Sequence, residues 1–214
     1  MFVMIDLDNT LADRDRAVRA WIREFCTRHD LDDDAAPWLH EADNDGYSPR
    51  HQVLEAARRR FRLPDPVDVL LADYQQRAVE LVQPTDGALQ CLIDLRRTGW
   101  TIAIVSNGSS KQQHAKIKRL GLDALVDVVC ISGDLDIKKP DPAIFEAAAA
   151  MAGALLQGAW MVGDSAHHDI VGAQRLGLST AWLHRGRPWD GTLPTPDLTL
   201  GSMSHLVAGL SGQR

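Results

Sequence analysis

Five short, almost uninterrupted apolar runs constrain this chain most, at residues 2–7, 100–106, 125–131, 159–163 and 180–183. A strand with one face in water alternates apolar and polar residues. A run apolar at nearly every position must be covered on both faces, as in a parallel sheet between helices. The last four runs alternate with helical patterns at 86–98, 109–120, 142–152 and 167–176. That repetition predicts an α/β fold built on a doubly wound parallel sheet. Residues 198–200 suggest a short sixth strand before a closing helix near 203–210.

Between the first two runs the pattern changes. Val18, Trp21, Ile22 and Phe25 recur at helical spacing, as do Val53, Leu54, Ala57 and Phe61, and then Val67, Leu70, Leu71, Tyr74, Ala78 and Leu81. Pro37, Pro49, Pro64 and Pro66 punctuate the segment. The expected organisation is an α/β core of residues 1–14 and 85–214 with an α-helical insertion at 15–84. At 214 residues the chain is long enough for one full core and such an appendage.

Composition narrows the function. With 23 Lys+Arg against 29 Asp+Glu, the net charge is −6 and no basic stripe offers a nucleic-acid surface. No apolar run is long enough to span a bilayer. The first residues lack the basic region of a signal peptide. Cys26, Cys91 and Cys130 have no metal-ligand spacing and read as thiols in a reducing compartment, so a cytoplasmic location is expected.

The chemistry gathers where the runs end. The first leads into Asp6-Leu7-Asp8-Asn9-Thr10-Leu11, placing two carboxylates at a strand's carboxyl end, where open α/β sheets bind ligands. Close carboxylates repel and call for a cation or a shared proton. The second ends in Ser106-Asn107-Gly108, a hydroxyl and backbone N–H groups suited to an anion. After the third comes Lys138-Lys139-Pro140-Asp141-Pro142, in which Pro140 extends the backbone at Lys139 and Asp141 can cap the next helix. The fourth ends in Gly163-Asp164-Ser165, with Asp169 five residues beyond Asp164. Asp6, Asp8 and Asp164 together suggest a hard-cation site; oxygen ligands without nearby cysteine favour Mg²⁺ over zinc.

These four elements, in this order, resemble the haloacid dehalogenase-like superfamily, subfamily I with a helical C1 cap. The carry-over puts Asp6 and Asp8 in the first motif, Ser106 in the second, Lys139 in the third, and Asp164 with Asp169 in the fourth. The resemblance implies a Mg²⁺-dependent phosphatase acting on a small phosphorylated metabolite through an aspartyl-phosphate. Asp6 would be the nucleophile and metal ligand. Asp8 would be the general acid and base, with its backbone carbonyl on the metal. Asp164 would be a further ligand, and Asp169 would orient Lys139 or a metal-bound water. Ser106, Asn107 and Lys139 would hold the phosphoryl group.

Alternatives within the superfamily separate by residue. Dehalogenases lack the second aspartate of the first motif, which is present here as Asp8. Phosphonatases need a cap lysine, and residues 15–84 contain none. A phosphomutase stays open, as does a catalytically idle binding protein. No P-loop, G-x-G-x-x-G or G-x-S-x-G motif supports another enzyme class. In the insertion, residues 41–52 imitate a calcium loop but carry Gln52 where that loop needs Glu, so a solvated turn is expected. Tyr47 and Arg50 beside it are the candidates for substrate specificity.

Overall fold

β1 (Phe2–Ile5) is buried along its whole length and lies inside a six-stranded sheet. In the computed structural model, which describes residues 1–212, the chain then runs through α1 (Arg14–Arg28), α2 (Ala35–Asp43), α3 (Arg50–Arg60) and α4 (Val67–Glu80). Next come α5 (Ala88–Arg97), β2 (Thr101–Ser106), α6 (Ser110–Arg119), β3 (Val128–Ile131), the single turn α7 (Ser132–Leu135) and α8 (Pro142–Ala152). β4 (Trp160–Gly163) leads into a wide π-helical segment, Ala166–Val171, that continues as α9 (Gly172–Gln174). β5 (Ser179–Leu183), β6 (Leu198–Leu200) and α10 (Leu206–Ser211) follow.

The described chain divides into two compact units, residues 1–13 with 84–212, and residues 14–83. In the first, the strand order is β3-β2-β1-β4-β5-β6 and every pairing is parallel. The chain winds outward from β1 to β3, then crosses back to β4, so the order reverses beside β1. Such a reversal opens a crevice at the strands' carboxyl ends. Met4, Val105, Cys130, Phe145, Ala148 and Met161 pack into one continuous core cluster. α8 has the boundaries its sequence suggests, because Asp141 accepts from the Ala143 N–H, Pro142 fills the first turn and Gly153 takes the left-handed conformation that ends it.

Three local features differ from the sequence pattern, one of them the third strand, which begins at Val128 rather than 125 because a helical turn at Leu122–Ala124 precedes it. The first strand stops at Ile5 rather than 7, because the Leu7 carbonyl accepts from the N–H groups of Thr10, Leu11 and Ala12 and closes a tight turn. The stretch expected as a regular helix at 167–176 is widened at Ala166–Val171.

The second unit is a four-helix assembly whose core gathers Trp21, Phe25, Leu39, Leu54, Ala57, Leu70 and Tyr74. Trp21 stacks obliquely on Phe25 at 4.8 Å and meets the edge of Tyr74 at 5.0 Å. It begins at Arg14, one residue before the boundary read from the sequence. Three apolar stripes were visible there, whereas the structure has four helices. Pro37 masks α2, yet it falls in that helix's first turn, where its missing N–H would have had no partner.

Candidate active site

The parallel register brings the strand ends level. Ile5 pairs with Val162 and Ile104, and the Asp6 N–H donates to the Val162 carbonyl at 2.9 Å. Asp6, Ser106 and Asp164 therefore all leave the sheet on its carboxyl side. Asp6, Asp164 and Asp169 are buried and offer carboxylate oxygens within 4.8 Å of one another. Lys139 is almost wholly buried, with Nζ 2.6 Å from Asp6 Oδ1, 2.7 Å from Asp169 Oδ1 and 2.7 Å from the Val105 carbonyl.

The electrostatics follow from three buried carboxylates, two of them on the Lys139 ammonium and the third, Asp164, facing Arg185 and Arg187. Burial, then repulsion from Asp164 and Asp8, raises Asp6 to about 6 against the pull of Lys139. Burial likewise raises Asp164 and Asp169 to about 6, with Asp169 repelling Asp164 and Asp6 repelling Asp169. Burial alone would lower Lys139, but Asp169 and Asp6 outweigh it and hold it above its ordinary value. Arg185 and Arg187 also pull on Asp164 and offset part of its rise, and the ligand atoms the three carboxylates offer are all oxygens. That donor set fits a hard divalent cation.

Asp8 lies apart from this trio. Its carboxylate is drawn to Lys116, whose Nζ is 2.7 Å and 2.8 Å from its two oxygens. The carboxylates brought together are therefore Asp6, Asp164 and Asp169, rather than Asp6, Asp8 and Asp164 as strand alternation suggests. The cause is the turn after Ile5, which ends the alternation before Asp8. Ser106 is fully buried and accepts from Gln113 Nε2 at 2.7 Å. Asn107 locks the Lys139 backbone, donating to its carbonyl and accepting from its N–H, both at 2.9 Å. Asp169 also accepts from the Ser165 N–H at 2.9 Å.

Four residues that sequence reasoning missed belong to this neighbourhood. Gln113 and Lys116 are buried on α6. Arg185 and Arg187 lie 2.9 Å and 3.0 Å from Asp164 Oδ2, in the turn after β5. The arginines follow a strand's carboxyl end, a position that could have nominated them. Lys116 stands out only as one of five lysines, since a helical stripe search looks for apolar residues.

The helical unit has its own polar centre. Asp43, expected in a solvated turn, is instead buried and bidentate to Arg14 at 2.7 Å and 3.0 Å, and it also pairs with Arg50. The Arg50 guanidinium lies 4.1 Å over the Tyr74 ring. Tyr47 is exposed. Gly46, with φ +89, leaves room for Arg14, since a Cβ there would come within 2.7 Å of the guanidinium.

A family model for haloacid dehalogenase-like hydrolases matches residues 3–183. A glyceraldehyde 3-phosphate phosphatase of Pyrococcus abyssi (strain GE5 / Orsay) is 32% identical over 194 residues, spanning 86% of this chain and 82% of that protein. The pyrophosphatase PpaX of Bacillus cereus (strain AH820) is 33% identical over 152 residues, spanning 68% and 69%. The HAD-hydrolase YfnB of Bacillus subtilis, in a structure described as bound to magnesium, superposes with a TM-score of 0.81 at 22% identity over 98% of this chain and 97% of that one. No described helix is long and apolar enough to cross a membrane. The chain is a member of the haloacid dehalogenase-like hydrolases, and it is an enzyme of that class.

Proposed function

We propose that the protein is a Mg²⁺-dependent phosphatase that hydrolyses a small phosphorylated metabolite through an aspartyl-phosphate on Asp6. The observation that carries this reading is Lys139, buried and clamped between Asp6 and Asp169 beside Asp164 at the crevice. Such a cluster is costly to bury and suits a dianionic phosphoryl group balanced by positive charge. Relatives named as phosphatases of glyceraldehyde 3-phosphate and as a pyrophosphatase support a small phosphate compound as substrate.

Asp6 attacks phosphorus, and the bond to the leaving oxygen breaks as that oxygen takes the proton of Asp8. Ser106 and Lys139 hold the phosphoryl oxygens, and Asn107 fixes the Lys139 backbone. Water then attacks the aspartyl-phosphate, freeing Asp6, and gives its proton to the Asp8 carboxylate. That proton is the one returned to the leaving oxygen in the next turnover. Magnesium, held by Asp6, Asp164 and the Asp8 carbonyl, would neutralise charge on the transferring phosphoryl group. Tyr47 and Arg50 are proposed to set substrate choice, with Tyr47→Ala expected to alter KM more than kcat.

Phosphate release across a panel of phosphorylated metabolites tests the reading. The wild type with Mg²⁺ is expected to hydrolyse at least one, and Asp6→Asn none. Phosphate release that survives Asp6→Asn would sink the proposal.

A further inference from the structure

The polar face of α6 is a buried part of the core unit that the steps above leave unused. Gln113 and Lys116 are three residues apart on one side of the helix, and both are buried. Lys116 Nζ meets both Asp8 oxygens, at 2.7 Å and 2.8 Å. Gln113 Nε2 donates towards Asp8 Oδ2 at 3.0 Å and Ser106 Oγ at 2.7 Å, and lies 3.2 Å from the Asn107 carbonyl. Gly108 makes room for that amide: its φ is +149, and a Cβ there would come within 2.8 Å of the Gln113 side chain. Burying an ammonium and an amide costs desolvation that apolar residues would avoid. A face built so has a task other than holding the helix down.

We propose that Gln113 and Lys116 are positioning residues that hold Asp8 and Ser106 in register for phosphoryl transfer. Lys116 fixes the Asp8 carboxylate, and the Gln113 amide ties it to Ser106. The residues that carry the proton and hold the phosphoryl group keep one spacing although they leave different strands. Because Gln113 donates, Ser106 accepts, and its own hydrogen makes only a 3.4 Å contact with the Asn107 carbonyl that a phosphoryl oxygen can replace.

The inference rests on Asp8 as the proton carrier, so its test compares two leaving groups on the full chain with Mg²⁺. A nitrophenolate departs without a proton, whereas an alkoxide needs one. Since kcat/KM covers steps only through departure of the leaving group, it isolates this half of the reaction. Lys116→Met is expected to lower kcat/KM for an alkyl phosphate by about 10- to 100-fold and for p-nitrophenyl phosphate by no more than about threefold. Asp8→Asn should show the same bias, and Lys116→Arg should recover part of the loss. Equal losses on both substrates, or no loss, overturn the proposal. If Asp8→Asn itself loses equally on both, the proton-carrier reading falls and the proposal with it, a result distinct from Lys116→Met failing alone. Should Lys116→Met not fold, Lys116→Gln takes the same comparison, and equal losses there overturn the proposal.

Discussion

At the residue scale, Lys139 shows how a single side chain can be both structural and chemical. It pairs with both Asp6 and Asp169 in a largely buried setting. Lys139→Met would leave those carboxylates buried without their counter-ion. Removing one partner of a buried pair costs about 3–5 kcal/mol, and that loss is expected in urea denaturation without divalent ions. Gly163 is a second such residue for a steric reason. A Cβ there would sit 2.2 Å from Asp169 Oδ2, so Gly163→Ala must push the carboxylate off Lys139. The expected outcome is a stability loss of about 1–3 kcal/mol together with a fall in phosphate release, checked by denaturation and turnover on one preparation. Asp6, Ser106, Lys139 and Asp164 were legible because each ends or follows an apolar run. Gln113 and Lys116 were not, because a buried polar helix face has no periodic signal of its own.

At the scale of elements, helix boundaries came from local chemistry and helix contents from packing. Asp141, Pro142 and Gly153 delimit α8 in any context. α2 escaped notice because the helix rules out proline only beyond its first turn. Its last residue, Asp43, joins α1 and α3 through Arg14 and Arg50. Burial pushes the Asp43 carboxyl up, but the hydrogen bonds and charges of Arg14 and Arg50 outweigh it and hold it below its ordinary value of 3.8. A lowered pKa in the folded state means stability present above that ordinary value and lost as pH falls through the folded one. Asp43→Asn is thus expected to cost about 3–5 kcal/mol near neutral pH. The gap between variant and wild type should narrow below pH 3.8 in acid denaturation. A gap that stays constant from neutral pH into acid would remove Asp43 ionisation from the account.

At the scale of the whole molecule, the sheet order brings carboxylates from residues 6, 164 and 169 to one point. A cation that binds there binds only the folded chain. Mg²⁺ at a hundred times its Kd should therefore stabilise the protein by about 2.7 kcal/mol, seen as a Tm rise that a chelator reverses. Asp164→Asn should abolish most of the rise, and a rise of full size in that variant would place the ion elsewhere. By itself, the sequence determined the α/β class, the helical insertion and the residues that end each strand, because these depend on patterns a few residues long. Tertiary structure alone decided that Asp169 rather than Asp8 joins the carboxylate trio, that Lys116 takes Asp8, and that Arg185 and Arg187 meet Asp164. Which cation pairs with which carboxylate depends on distances between chain segments far apart in sequence, and those exist only once the sheet has closed its register.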